Sequence, residues 1–133
     1  LGSDLDTAVI FLVGFAFKGK PETADLREST TISLLNEILK ISKCSIKGYD
    51  PVVDDDEINK IEGVKSVSLE DGIYKTDILI IANNHESYRD WDLSNILSRM
   101  NRPAIIYDGW RMLDNNIVNE YEDVTYMAPG LWV

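Results

Sequence analysis

The stretch Ala8-Val-Ile-Phe-Leu-Val-Gly-Phe-Ala-Phe17 is apolar throughout, with no alternation of polar and apolar positions. A run of this kind predicts a strand over residues 8–17 buried on both faces, the habit of parallel sheets flanked by helices. Two similar runs, at 77–82 and 103–107, predict further buried strands. Shorter strands are expected at Ser45-Ile-Lys-Gly-Tyr49, at 64–67 and at 124–127. Helical spacing places Ile32, Leu34, Leu35, Ile38 and Leu39 on one face, with Ser29 or Thr30 as the N-cap. Residues 69–75 read as a short helix, and Tyr88, Trp91, Leu93, Ile96 and Leu97 as another ending near Asn101. The acidic run Asp54-Asp-Asp56-Glu57 lies in a loop or opens a short helix, where the N-terminal dipole favours negative charge. Strands alternating with helices imply βαβ units with right-handed crossovers. The expected fold is a three-layer, Rossmann-like α/β domain with a mostly parallel sheet, spanning residues 1–133 without an internal linker.

Composition narrows the function classes. With 133 residues and 44% hydrophobic content, the chain has the size and core of one globular domain. Lys+Arg 13 against Asp+Glu 23 gives a net charge of -10, which excludes a nucleic-acid polymer as the usual partner. A single cysteine excludes an internal disulfide and a multi-cysteine zinc site, and suits a reducing, cytoplasmic setting. No apolar run approaches the roughly 20 residues that cross a bilayer, so no membrane role is expected. The start, Leu1-Gly2-Ser3-Asp4, has neither an initiator Met nor a basic leader, and it suggests a piece of a longer chain.

Open parallel sheets bind ligands beyond the carboxyl ends of their strands. Lys18, Lys20 and Arg27 follow the first expected strand. Asp50 follows the second, and Asn83, Asn84, His85 and Glu86 the fourth. Asp108, Trp110 and Arg111 follow the fifth. Cations gathered at one edge of an acidic chain suit a phosphate or pyrophosphate. Each residue also has a purely structural reading. Lys18 and Lys20 can be solvated loop lysines, and Arg27 can pair with Asp25 or Glu28. Asp50 before a proline suits a turn, His85 a structural role, and Trp110 simple packing. Cys44 reads as a small buried filler, and the acidic run as a solvated face without calcium-loop spacing. The turn after the first strand, Gly14-Phe-Ala-Phe-Lys-Gly19, is not G-x-G-x-x-G, so a complete dinucleotide site within this chain is not expected. No Walker A loop, no G-x-S-x-G elbow and no acid–base–nucleophile set is present, and no catalytic or metal-binding residue is assigned.

The segment Gly14-Phe-Ala-Phe-Lys-Gly-Lys-Pro-Glu-Thr-Ala-Asp-Leu-Arg-Glu-Ser29 carries more information. Together with Gly48-Tyr-Asp-Pro51 and Asp108-Gly-Trp-Arg111, it resembles the C-terminal domain of the UDP-glucose/GDP-mannose dehydrogenase family. The family pattern is approximately G-x-A-F-K, a polar spacer and D-x-R-E-S, followed later by Y-D-P and D-G-R. The resemblance implies a parent enzyme, homo-oligomeric and active in polysaccharide biosynthesis, that oxidises the C6 hydroxyl of a nucleotide sugar to a carboxylate with two NAD molecules. It also implies that NAD is held mainly by an N-terminal domain and that the catalytic cysteine lies upstream, so Cys44 is not that residue. The isolated domain is expected to be inactive.

Carried over by position, Phe17 and Lys18 look like the pair that meets the UDP-sugar, and Arg27 like the arginine facing the NAD site across the domain interface. Arg111 looks like the arginine that reaches the substrate near the last strand. Two departures stand out. The spacer before Asp25-Leu-Arg-Glu-Ser29 is two residues longer than usual, so either Lys18 or Lys20 can be the functional lysine. Trp110 occupies the place directly after Asp-Gly where arginine is usual; Arg111 replaces it or points elsewhere. Asn84-His85-Glu-Ser-Tyr88 looks like the H-x-x-F/Y variant of UDP-N-acetylhexosamine dehydrogenases, which implies UDP-N-acetylmannosamine or UDP-N-acetylglucosamine and makes His85 a substrate contact. The competing reading is a non-catalytic interaction or regulatory module on a flavodoxin-like scaffold, motivated by the acidic composition and the missing catalytic set.

Overall fold

The computed structural model describes residues 8–15, 37, 45–61 and 63–128. Six strands form one sheet: β1 (Val9–Val13), β2 (Ser45–Tyr49), β3 (Val64–Ser66), β4 (Ile78–Ile81), β5 (Ala104–Asp108) and β6 (Val124–Met127). Their order is β3-β2-β1-β4-β5-β6, and every pair is parallel. The sheet is therefore wholly parallel among the described strands, and its order reverses once, between β1 and β4. That reversal is the topological switch point of a Rossmann-like α/β domain, where such sheets open a crevice for ligands.

Apolar residues of β1 divide between the two faces, as a doubly covered strand requires. Phe11 and Val13 join Leu79, Ile81 and Ile106 in one core, beneath α2 (Leu69–Ile73), α3 (Leu93–Arg99) and α4 (Asn115–Val118). Ile10 and Leu12 join Ile46, Val64 and Ile80 in the other, with Ile58 of α1 (Asp55–Asn59). Helices on both faces give the three layers. Phe11 has no exposed surface, so truncation to alanine would cost about 3–5 kcal/mol. Among the described residues no helix is long and apolar enough to cross a membrane.

The structure differs from the expected elements at several boundaries. β1 stops at Val13 because Gly14 turns the chain with φ +100, a conformation that a side chain disfavours. Phe15 is fully buried beyond the strand rather than within it. β3 and α2 end one and two residues earlier than expected, at Ser66 and Ile73. β4 begins at Ile78; the carboxylate of Asp77 instead accepts the N–H of Val9 at 2.8 Å. The helix expected to include Tyr88 and Trp91 is split into a 3-10 turn (Glu86–Asp90) and α3. Asp92 explains the split: its side chain accepts the N–H of Asn95 and starts a new helix. The acidic run does open a helix, α1, with Asp54 as its N-cap residue. α4 was not expected; Asp114 caps it through the N–H of Asn116. Of the helix expected near residues 32–39, only Glu37 is among the described residues, and it is helical.

Candidate functional site

The carboxyl ends of β2, β1, β4 and β5 form one edge, organised by two buried aspartates. Asp50 follows β2. Its Oδ1 accepts the N–H groups of Val52 at 2.7 Å and Val53 at 3.0 Å, a turn whose entry Pro51 restricts. Its Oδ2 accepts the N–H of Phe15 at 2.7 Å and the side-chain amide of Asn83 at 3.2 Å. Among the described residues, four donors from three segments meet on this one carboxylate. Asn83 is itself buried, and its Oδ1 accepts the hydroxyl of Tyr88 at 2.5 Å. Burial, then the charge of Asp50 and the neighbouring Tyr49, push the Tyr88 hydroxyl well above the usual tyrosine range, so it acts as a neutral donor. Asp50 is thus a structural tie, in accord with its turn reading.

Asp108 closes β5 in a parallel way. Its Oδ1 accepts the N–H of Met112 at 2.9 Å and, more loosely, that of Trp110 at 3.3 Å. Its Oδ2 accepts the N–H of Leu113 at 2.8 Å and the hydroxyl of Tyr126 on β6 at 2.9 Å. Burial, followed by this bond to Asp108 and its charge, raises the Tyr126 pKa; Arg111 acts on it in the opposite sense. The loop leaves β5 through Gly109, whose N–H donates to Ile81 O at 3.0 Å. A Cβ there would sit 2.9 Å from that carbonyl oxygen, so the close approach needs glycine. Arg111 then adopts φ 52, a left-handed conformation that is strained for a non-glycine residue. The loop holds Met112 and Leu113 in the core and leaves Trp110 and Arg111 exposed.

His85 is half-buried and caps the 3-10 turn: its Nδ1 accepts the N–H of Ser87 at 3.1 Å and lies 2.8 Å from the Ser87 hydroxyl. With Nδ1 accepting, the neutral ring carries its proton on Nε2. Its ring leans on Tyr88, which in turn leans on Trp91, at centroid separations of 5.9 and 5.1 Å. Of the expected site residues, the structure therefore brings His85 and Arg111 to one edge of the sheet. Phe17, Lys18, Lys20, Arg27 and Cys44 lie outside the described residues. A cavity of about 140 Å³ between α2 and α3, lined by Leu69, Ile73, Trp91, Asn95 and Arg99 among others, contains none of the expected site residues. Reading residues one at a time missed the Asp50–Asn83–Tyr88 tie. Its available signal was an aspartate and an asparagine just past two expected strands, with an aromatic hydroxyl five residues beyond the asparagine.

Among the described residues, the strand ends after β1 and β2 do not fit a dinucleotide. In NAD-binding Rossmann domains an acidic side chain after β2 holds the ribose, and the turn after β1 admits the pyrophosphate. Here the Asp50 carboxylate is engaged by Phe15, Val52, Val53 and Asn83. The space over Gly14 is also taken: a Cβ there would lie 2.6 Å from Asn83 Oδ1. No step of NAD chemistry is assigned to the described residues.

Comparison with known proteins agrees with this fold. Over 94% of the chain the fold matches the structure of a UDP-D-ManNAc dehydrogenase from Pyrococcus horikoshii, with a TM-score of 0.72 and 24% identity, covering 26% of that chain. It also matches an NDP-N-acetyl-D-galactosaminuronic acid dehydrogenase from Methanosarcina mazei Go1, with a TM-score of 0.74 and 19% identity, over 94% of this chain and 25% of that one. In sequence, the chain is 30% identical to the UDP-glucose 6-dehydrogenase of Rattus norvegicus over 139 residues, 92% of this chain and 27% of the relative. The chain thus spans about a quarter of the length of the curated relatives it matches. Residues 11–115 match the model of the UDP-glucose/GDP-mannose dehydrogenase family, UDP binding domain, and it is to this family that the chain belongs.

Proposed function

We propose that this chain is the C-terminal, UDP-sugar-binding domain of an NAD-dependent nucleotide-sugar 6-dehydrogenase. The observation that carries the reading is the family match over residues 11–115, which spans both the Gly14-to-Ser29 motif and the edge built by Asp50 and Asp108. On this reading the diphosphate lies over the carboxyl ends of the strands. Phe17 and Lys18 or Lys20 approach it after β1, with His85 after β4 and Arg111 after β5. A guanidinium offers a planar fork to phosphate oxygens, and a lysine a mobile point charge. Arg27 faces NAD, which another domain of the parent enzyme holds. This domain binds and orients the substrate; the nucleophile and the hydride acceptor come from elsewhere. The parent is a cytoplasmic homo-oligomer serving polysaccharide biosynthesis.

The substrate we infer is a UDP-N-acetylhexosamine, with UDP-N-acetylmannosamine first. The motif Asn84-His85-Glu-Ser-Tyr88 supports this choice. Tyr88 is committed to the core through Asn83, so within this motif the sugar contact falls to His85. The regulatory-module reading lacks an available phosphoacceptor at these strand ends: both Asp50 and Asp108 are buried and engaged by main-chain donors.

Titration calorimetry on the longest natural chain containing this sequence tests the assignment. UDP and the UDP-sugars should bind, and alanine at Lys18, Lys20 and Arg111 together should weaken binding by at least tenfold, about 1.4 kcal/mol. Unchanged binding or unchanged turnover in that triple variant would refute the site. Comparing turnover of UDP-N-acetylmannosamine with that of UDP-glucose tests the sugar.

A further inference from the structure

We infer that the indole of Trp110 is the stacking platform for the uracil base of the bound nucleotide. The inference rests on the UDP-sugar reading above and adds to it a residue and a part of the ligand.

Trp110 is one of few large hydrophobic side chains left open among the described residues, with 46% of its surface exposed. An open tryptophan costs apolar surface in water unless something covers it. This one is held in place. Asp108 accepts its main-chain N–H, and Gly109 and the left-handed Arg111 fix the turn on either side. Its indole Nε1–H donates to Ala82 O at 3.2 Å, drawing the ring over the end of β4. Ala82 immediately follows β4, one of the two strands that flank the switch point. The ring therefore lies on the side where a ligand in an open α/β sheet is expected.

The chemistry of the ligand follows from what the indole has left to offer. Its one polar group is used on Ala82 O, so only the ring faces remain for contact. A planar base presents a π-face that stacks on such a ring. Within a UDP-sugar, uracil is the planar part. Base–aromatic stacking is sequence-tolerant and strong enough to matter for affinity.

The test measures binding of UMP, UDP, a UDP-sugar and inorganic pyrophosphate to the longest natural chain, wild type and variants. Trp110→Ala should weaken UMP, UDP and the UDP-sugar by the same factor, about tenfold, and leave pyrophosphate unchanged. Trp110→Phe keeps a stacking face and should stay within about threefold of wild type. Trp110→Leu keeps apolar bulk without a π-face and should behave like alanine, which covers the case of a poorly folding alanine variant. Wild-type affinity for UMP and UDP in both Trp110→Ala and Trp110→Leu would overturn the inference. So would a loss confined to the UDP-sugar, which would put the hexose on the indole. If the wild-type protein binds none of the nucleotides, the UDP reading itself fails, a result distinct from failure of the Trp110 assignment alone.

Discussion

Asp50 and Asp108 occupy equivalent places, one just past β2 and the other closing β5, and each buried carboxylate accepts main-chain and side-chain hydrogen bonds. They differ in where the donors come from. Asp50 gathers them from its own turn, from Phe15 after β1 and from Asn83 after β4, so it ties three strand ends together across the switch point. Asp108 takes three from its own loop and one from Tyr126, so it shapes a loop and reaches only β6. The first aspartate fixes the strand ends at the switch point. The second builds the rim that exposes Trp110 and Arg111. One residue type thus performs two tasks, and the topology of the donors decides which.

The contrast can be broken most sharply at Asp50. Asp50→Ala leaves buried donors from three segments unpaired, and should lower the unfolding free energy by about 3–5 kcal/mol in chemical denaturation. A loss below about 1 kcal/mol would show that the tie is dispensable. Asp108→Asn turns an amide NH2 towards N–H donors and should cost less, about 2–3 kcal/mol. Its amide chemical-shift changes should stay within residues 109–113 and β6; changes spreading to β1 and β2 would erase the distinction drawn here.

Tyr88→Phe tests the extension of the Asp50 tie. The lost hydroxyl bond should cost about 1 kcal/mol near pH 8. The folded-state pKa of Tyr88 is raised above the unfolded value near 10, so the folded protein holds its proton more tightly. Stability from this group is complete below pH 10 and declines as pH rises beyond it. Wild type should lose stability between pH 10 and 11.5, and Tyr88→Phe should lose less; equal losses would contradict the buried environment of the hydroxyl. The smallest effect is expected at Arg111→Gly. Glycine relieves the left-handed φ, and the variant should match wild type or gain up to about 1 kcal/mol while binding UDP more weakly.

Much of the fold was legible because its signal is strong. Continuous apolar runs such as 77–82 admit few readings besides buried parallel strands, and all six expected strands are present. Boundaries were less legible, because single side chains set them: Gly14 ends β1, and Asp92 restarts a helix at α3. The site was only partly legible. His85 and Arg111 could be placed by position along the chain. The partnership of Asp50, Asn83 and Tyr88 could not, since it joins residues 33 and 38 positions apart that meet only once β1 and β4 are adjacent. Trp110 read equally well as packing, and only the bond from its indole to Ala82 shows which way the ring lies.

The central claim is that the edge built by these two aspartates binds UDP. Amide chemical-shift mapping during a UDP titration of the longest natural chain containing this sequence tests it most directly. The account predicts shifts clustered at residues 82–88 and 109–113, with none at Lys47, Lys75, Asn101 or Arg102. Absence of shifts, or shifts centred on those four residues instead, would contradict it.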